Sequence, residues 1–585
     1  MNDALTTTDT RWFAPAWSML PLARQRCLVR NPANGAAAEL SSGEYAVLST
    51  CDGCFTLSEH EARAARELSA PAAHRSAIRQ LLERCAREGL LLRLPDLVAR
   101  FGVASATRQA PIAGISIPTA DRPRFVSRLL GEALELQRRT DIAYRWHLFD
   151  DSRSEEHRRG NREAITSRPE LDVTYHDLSV ADSFERVLSA ELPELRREVG
   201  ALLAAAAPGE ASFGRPLNHA LLNFAGRRFL SIDDDARIDP RRPALVRTGV
   251  DVSLEEKTTS WYETFDAAFA ACPTLPIDPI AEHARWLGLP MASAWQLAER
   301  ESGGLRAADV PLIAEQYFAP ESRVVFTWNH VLGDPGWRSF SGELLALNTE
   351  TREWLAANPG ASRFAFDTQI RWLGYPSLRL SPQNSLGTAT LTGFDNTTLV
   401  PPATRTGRGT DPMVGELTRC IHPTAWTVSL PFALPHIRAS GRQWTSPSEI
   451  PVLEVNRLLI GHMHRRSVSL RARDPGSRLA TLGDILVDLA AAGDATLRGL
   501  IEEHVADRAG RLTFRVNEQL DDPATPGEWK EVLRKWLVSP MLSVDASLLS
   551  QQTIPLDSLR AQAREFGRAL IAWPRLWSHC RERLQ

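Results

Sequence analysis

The sequence predicts a mixed α/β chain in which a sheet sandwiched by helices is preceded by a small strand-and-helix module and followed by helices alone. Three observations carry this expectation. An apolar strand from Pro111 to Ile117 runs through Pro118-Thr119 into a helix whose Val126, Leu129, Leu130 and Ala133 return at i, i+3, i+4 and i+7. A second apolar run, Phe229-Leu230-Ser231-Ile232, follows a helix-like stretch that stops at Gly226, and it opens into Asp233-Asp234-Asp235. From 441 onward apolar residues recur at helical intervals, broken at Pro523, Pro526 and Pro540. The 585 residues suffice for three or four domains at ~150 residues each, and the pattern divides them at 14–100, 113–440 and 441–585.

Composition narrows the function classes. With 43% apolar and 24% charged residues the chain reads as globular. A net charge of −3 argues against a nucleic-acid platform. Of the 68 basic residues only Lys257, Lys530 and Lys535 are lysines, a bias better ascribed to a GC-rich coding sequence than to phosphate binding. No run reaches the ~18 apolar residues of a membrane span, and Met1 to Thr10 lacks a basic-then-apolar leader, so a cytoplasmic location is expected. Seven scattered cysteines do not make a disulfide framework, and the lone Cys51-x-x-Cys54 reads as a helix-end turn.

In the front module, Arg26–Arg30 and Ala36–Leu40 flank Asn31-Pro32-Ala33-Asn34-Gly35 as a hairpin. A short helix from Ser42 to Thr50 follows, then a helix with Ser58 and Glu61 as its capping box, then one carrying Ile78, Leu81, Leu82 and Cys85 on one face. This is a small winged-helix pattern. Its "GEYAVLSTCDGCFTLSE" and "LLERCAREGLLLR" resemble PqqD-like domains, the recognition elements of enzymes that modify ribosomally made peptides. The resemblance implies that the leader of a precursor peptide docks as an extra strand beside the hairpin. A plain winged-helix docking or DNA-binding module fits the same pattern, but the helices lack a strongly basic face. Ala104 to Pro111 then reads as a linker.

Two carboxylates one residue apart where a strand opens into a loop can share one divalent cation, and such a cation can hold a diphosphate. Asp233 and Asp235 have that spacing; a solvated turn is the plain alternative. Asn218 stands eight positions before Gly226, and Gly226 seven before Asp233. In this spacing the chain resembles family 2 glycosyltransferases of the GT-A fold, which place an Asn, a Gly and an Asp-x-Asp in the same way. "IPTADRP" at 117–123 looks like the opening of that class, where the loop after the first strand contacts the nucleotide; His147-Leu148-Phe149-Asp150 resembles its second strand. The resemblance implies a nucleotide-sugar donor bound by Thr119, Asp121, Asp150, Arg215, Asn218 and Asp234, with manganese or magnesium held by Asp233, Asp235 and a later His.

That His is expected to be His436, 25 residues after Asp411, with His422 competing; imidazole plus two carboxylates suits manganese. Transfer to a hydroxyl needs a base in reach of that hydroxyl, and Asp411, in the region resembling the family's acceptor side, is the candidate. Two departures stand out: the family's acidic pair is Thr410-Asp411 here, and the position before Asn218 is Leu217, with Arg215 two residues earlier. Thr258 to Leu305 reads as a long helical insertion and Trp328 to Phe340 as an aromatic loop, whose Trp328 and Trp337 are candidates for an acceptor cleft. His462 and His464, two apart on a helix, point to different faces and make no metal pair. The C-terminal helices are expected to cover the transferase, shape its acceptor groove or pair two subunits as a homodimer.

The function expected from these readings is metal-dependent transfer of a sugar from a nucleotide sugar to a peptide acceptor. A non-catalytic subunit that binds nucleotide sugar or leader peptide, and a transferase acting on lipid or polysaccharide, are the alternatives.

Overall fold

The computed structural model describes residues 10–584 except 16, 33, 52, 105–108, 208–211, 253–256, 302–304, 307–316, 337–346, 362–369, 383–388, 439–452, 468–469 and 540–553. Its centre is a twelve-stranded mixed sheet. Seven strands define it: β1 Ile112–Thr119, β2 Arg145–Asp150, β3 Asp172–His176, β4 Arg228–Ile232, β5 Arg323–Gly333, β6 Leu391–Asp395 and β7 Ala425–His436. They lie side by side in the order β3-β2-β1-β4-β6-β5-β7. Strands β1 to β4 are parallel, β6 runs against both β4 and β5, and β5 is parallel to β7. All but β6 therefore point the same way.

The order matters for function. From β1 the chain steps outward through β2 to β3, then returns to lay β4 on the other side of β1. Where strand order reverses in this way, the connections leave in opposite directions and open a crevice beyond the carboxyl ends of the strands, the usual ligand position in open α/β sheets. Thr119 and Ile232-Asp233 stand at the two lips of that crevice.

Both faces of the sheet are covered. On one face lies α1 (Pro123–Thr140), whose Val126, Leu129, Leu130 and Ala133 are buried as their spacing predicts; Trp286 and Trp295 from the helices Pro279–Trp286 and Met291–Glu301 join it. Next along the chain come α2 (Glu155–Thr166), α3 (Gly214–Asn223) and α4 (Thr410–Ile421). Beyond β7 follow α5 (Val455–Ser467), α6 (Pro475–Ala491), α7 (Asp494–Asp521), α8 (Gly527–Leu537) and α9 (Leu556–Leu584). The opposite face packs against α3, α4, α5, α6 and α9 in one continuous core.

The C-terminal helices thus cover the sheet and share its core. The Nε1 atoms of Trp573 and Trp577, on α9, donate to Val400 O and Asn396 Oδ1, each at 2.8 Å. Gly226 has φ +78°, and any Cβ there would collide with the Arg581 side chain of α9, so another residue in the turn before β4 would be strained and would have to push that side chain aside. Helices α7 and α8 place Leu512, Trp529 and Trp536 in a separate cluster with Trp261, Trp354 and Trp372.

The front module has two three-stranded sheets, one ordered Ser18–Leu22, Arg26–Arg30, Ala37–Ser41 and the other Cys54–Thr56, Arg11–Phe13, Leu92–Arg93. The hairpin and the three helices fall where expected, around a core of Val29, Leu40, Leu48, Leu82 and neighbours. The capping box is Thr56 with Glu59, two residues earlier than Ser58 and Glu61, because the second helix begins at Leu57. Cys51 and Cys54 are buried and form no disulfide. Phe101, just past the module, stacks on Phe318 at 5.1 Å and meets Trp295 and Trp426, which fastens the module to the main domain.

Two further expectations change. The insertion after Thr258 opens with a strand, Thr258–Trp261, paired to Arg371–Gly374, before three helices follow. Trp328 lies inside β5, which is buried on both faces from Val324 to Gly333; it is no loop residue. Among the described residues no helix is long and apolar enough to cross a membrane.

Candidate active site

Each strand of the crevice ends in a polar residue that faces the same point. Thr119 closes β1, and its hydroxyl donates to Asp234 Oδ2 at 2.7 Å. Arg122, at the entrance to α1, donates through one nitrogen, Nη1, to Asp234 Oδ1 at 2.9 Å and Asp235 Oδ2 at 3.0 Å. The triplet follows β4, and it is tied down at both ends. Asp233 N–H donates to Thr390 O at 3.0 Å, while Ile437 N–H donates to Asp235 O at 3.1 Å. Beyond it, Glu132 of α1 accepts from Ile238 N at 2.7 Å and Arg237 Nε at 2.9 Å.

His436 ends β7 and reaches Asp235 Oδ1 with Nε2 at 2.6 Å, with Asp233 Oδ2 3.8 Å away. Its Nδ1 bonds the carbonyl of Asp334, just past β5. A carbonyl can only accept, so Nδ1 carries a proton and Nε2 is the atom available to a ligand. The close approach of β5 to β7 that makes this bond needs Gly333: φ is +126°, and a Cβ would strike the carbonyl of His436.

One ligand atom each from Asp233, Asp235 and His436 lie within 4.8 Å of one another. Two carboxylate oxygens and an imidazole nitrogen are a fitting donor set for manganese, magnesium or zinc. The electrostatics agree with that fit. Desolvation by the surrounding protein, then the charges of Asp235, Asp411 and Asp234, push the half-exposed Asp233 well above the usual carboxylate range, with His436 opposing. Burial works against a charged His436, but Asp235 and Asp233 overcome it and raise it to about 9. Burial likewise opposes an ionised Asp235, yet His436, Arg122 and Arg438 hold it well below the usual range. At Asp233 desolvation and the neighbouring carboxylates together oppose ionisation, and a cation would relieve both. Asp233 keeps 48% of its side-chain surface accessible, so the group is open on one side.

Asp411 lies in the first turn of α4 and is near enough to Asp233 to raise it. It is exposed at the surface but set among protein mass that pushes it up to about 6, with Arg457 opposing. The loop before it is pinned from α5, where Asn456 Nδ2 donates to Arg408 O at 2.8 Å and Thr406 O at 3.3 Å. His422, the competing ligand, bonds Leu399 O at 2.8 Å and takes no part in the cluster.

A cleft of ≈ 680 Å³ opens beside Asp235 and runs between α1 and α2, lined by Asp121, Arg122, Arg124, His157, Arg159 and Arg438 among others. Asp121 is anchored there by His157 Nδ1 at 2.9 Å and by Arg153 N–H at 3.2 Å.

Three candidates serve the scaffold. Asp150 is 2% exposed and accepts from Ser152 N–H, Asn161 Nδ2 and Tyr175 Oη, so both its oxygens are engaged by its own strand neighbourhood. Arg215 is buried against Asp151 and Asp182 and donates to Leu203 O. Asn218, fully buried, bonds Ala403 N–H, Ala403 O and Leu202 O, fastening α3 to the segment before α4. Trp328 is 3% exposed, with Lys257 Nζ 4.7 Å over its ring and His330 and Tyr375 edge-on, so it belongs to the packed interior. Trp337 lies outside the described residues.

Arg122, Glu132, Asp334, Thr390 and Arg438 escaped the sequence reading. Arg122 lies within the quoted opening motif and Arg438 two residues after His436, but nothing local marks either side chain as facing the triplet. Comparison with protein-family models, with curated proteins and with solved structures found no match to this chain.

Proposed function

We propose that this chain is a metal-dependent glycosyltransferase of the GT-A type that moves a sugar from a nucleotide sugar to a peptide held by its front module. The observation that carries the reading is the convergence of Asp233, Asp235 and His436 at the carboxyl edge of the sheet, at its switch point, with Asp411 beside them. Asp233, Asp235 and His436 would hold the cation. Bound there, it would supply electrostatic stabilisation of the diphosphate leaving group.

The chain's own residues do the rest. Thr119 and Arg122 fix the carboxylates of Asp234 and Asp235. Asp411, raised by its surroundings toward neutrality, accepts the proton of the acceptor hydroxyl or thiol. The acceptor atom bonds the anomeric carbon, the bond from that carbon to the diphosphate oxygen breaks, and its electron pair leaves with the nucleotide diphosphate.

For the peptide, the support is the front sheet. Ser18–Leu22 is an edge strand exposed along its whole length, and Met19, Leu20, Leu22 and Leu28 are the exposed apolar side chains there. An open edge with apolar side chains suits an extended peptide that adds as a further strand.

The test is the intact mass of a peptide encoded beside this gene, before and after incubation with the protein, Mn²⁺ and a panel of nucleotide sugars. A hexose-sized increment is expected. Tight binding of a nucleotide sugar with neither mass change nor release of nucleotide diphosphate would instead make the chain a binding subunit.

A further inference from the structure

Helices α5 and α7 carry two arginines that neither the acid cluster nor the scaffold engages. Elsewhere on these helices Arg465, Arg498 and Arg511 pair with Glu503, Asp494 and Asp507 at 3.7, 3.4 and 2.6 Å. Arg457, exposed on α5, and Arg508, half-buried on α7, make no ion pair and no side-chain hydrogen bond among the described residues. They are neighbours all the same. The protein around Arg508, then the charge of Arg457, pull Arg508 below its usual value, with Glu454 opposing.

The pair stands beside the proposed base. Arg457 Nε lies against the loop that enters α4, 3.7 Å from where a Cβ on Gly409 would stand, and Asp411 follows in the first turn of that helix. Asn456, the residue before Arg457, fixes the same loop through its bonds to Thr406 O and Arg408 O. Arg457 is close enough to oppose the rise of Asp411, and Asp411 close enough to raise Asp233. A run of charged neighbours therefore leads from the cation ligands through Asp411 to Arg457 and on to Arg508.

Two guanidinium groups side by side, with no carboxylate bonded to either, repel each other, and the half-buried one has also lost part of its hydration. An anion entering between them relieves both costs, since each fork then gains charge-assisted bonds. The source of that anion follows from the position of Asp411: the hydroxyl or thiol that is deprotonated must reach Asp411, so the group lying against Arg457 at that moment belongs to the acceptor. In a peptide acceptor the matching anion is a side-chain carboxylate, the ligand that arginine clusters take in acidic-motif recognition. We infer that Arg457 and Arg508 form an acidic-residue subsite of the acceptor groove and select peptides that carry Asp or Glu close to the modified residue. Such a subsite rests on the functional reading above and makes its acceptor class specific.

The experiment uses the full chain and three capped heptapeptides labelled with a rhodamine dye, each with a central Ser flanked on both sides by Glu, Gln or Lys. Binding is followed by fluorescence anisotropy, and transfer by peptide mass with Mn²⁺ and a panel of nucleotide sugars. The wild type should bind the Glu peptide about tenfold more tightly than the Gln peptide and bind the Lys peptide least, in keeping with charge-assisted bonds to two arginines. Arg508→Gln should bring the Glu peptide to within about twofold of the Gln peptide, leave the Gln peptide's affinity unchanged, and leave the denaturant midpoint unchanged or higher, because an uncompensated charge has gone. Arg508→Glu should reverse the order in favour of the Lys peptide. Arg457→Gln, at an exposed position, should also erase the preference and decides the matter if the α7 variants fail to fold. A Glu preference that survives in Arg508→Gln and Arg457→Gln, or a marked loss of stability in Arg508→Gln with no change in peptide preference, would overturn the subsite and leave the transferase reading standing. Arginine-dependent capture of phosphatidylglycerol vesicles with no preference among the peptides would overturn it in favour of a lipid acceptor. An arginine-dependent Glu preference with no mass change from any donor would uphold the subsite and overturn the transferase reading.

Discussion

At the scale of single residues, the acid cluster divides its work unevenly. Asp234 is fixed between Thr119 and Arg122 and buried, whereas Asp233 keeps one side open, so the two outer carboxylates of the triplet and His436 are the ones placed to ligate. Asp233→Asn and Asp235→Asn are each expected to remove Mn²⁺ binding, measured by paramagnetic resonance, and metal-dependent turnover with it. Asp411→Asn should leave Mn²⁺ and nucleotide binding in place while lowering turnover by about 10²- to 10⁴-fold, the range of a lost general base. The protein mass around it raises Asp411 to about 6. A base works in its deprotonated form, so the single-turnover rate should fall tenfold per pH unit below about 6 and level off above it. Arg457 opposes that rise, so Arg457→Met should move the limb to higher pH. A limb that stays put in both Asp411→Asn and Arg457→Met would place the base elsewhere.

Elements position the site through backbone contacts that no single catalytic side chain reveals. The triplet hangs between β4, the start of β6 through Thr390 O, and the end of β7 through Ile437 N–H. Asn329, fully buried in β5, holds that start by donating to Thr390 Oγ1 and accepting from Leu391 N–H, both at 2.9 Å. The β5–β7 pairing carries His436 to Asp334, and Gly333 is the residue that permits it. Gly333→Ala should therefore weaken Mn²⁺ binding severely, because β7 must shift at His436; undiminished affinity in a folded variant would contradict this. Glu132→Ala loses two bonds to the loop after the triplet and should cost about 1–3 kcal/mol of stability, read by denaturant titration, with a smaller loss of metal affinity.

Over the whole molecule, the front module and the C-terminal helices are joined to the central sheet through aromatic contacts, so neither is a detachable accessory. Trp577 bridges α9 to Asn396, and Trp577→Ala should destabilise the entire sheet domain by about 3–5 kcal/mol rather than melt α9 alone. Removing the front module together with Phe101 would uncover Phe318 and Trp426, so the peptide reading is better tested by substitution. Leu20 is 59% exposed on the edge strand. Leu20→Asp should leave stability and nucleotide binding intact while lowering the rate of peptide modification. An unchanged rate on the natural precursor would sink docking at that edge.

What the sequence by itself determined were the properties that repeat locally. Helical periodicity placed α1 and the C-terminal helices, alternation and turn residues placed the front hairpin, and the adjacency of three Asp at a strand end marked the acid cluster. These follow from short-range geometry, in which a 3.6- or 2-residue period shows directly in the order of apolar side chains. Only the tertiary structure decided which distant groups meet that cluster. His436 rather than His422 completes it because β7 runs parallel to β5 and ends beside β4's outlet. Asn218, Arg215 and Asp150 instead meet partners that bind them into the scaffold, and Trp328 is enclosed by the sheet. Such choices depend on strand order and on which buried polar atoms find bonds, and neither is written in the spacing of residues along the chain.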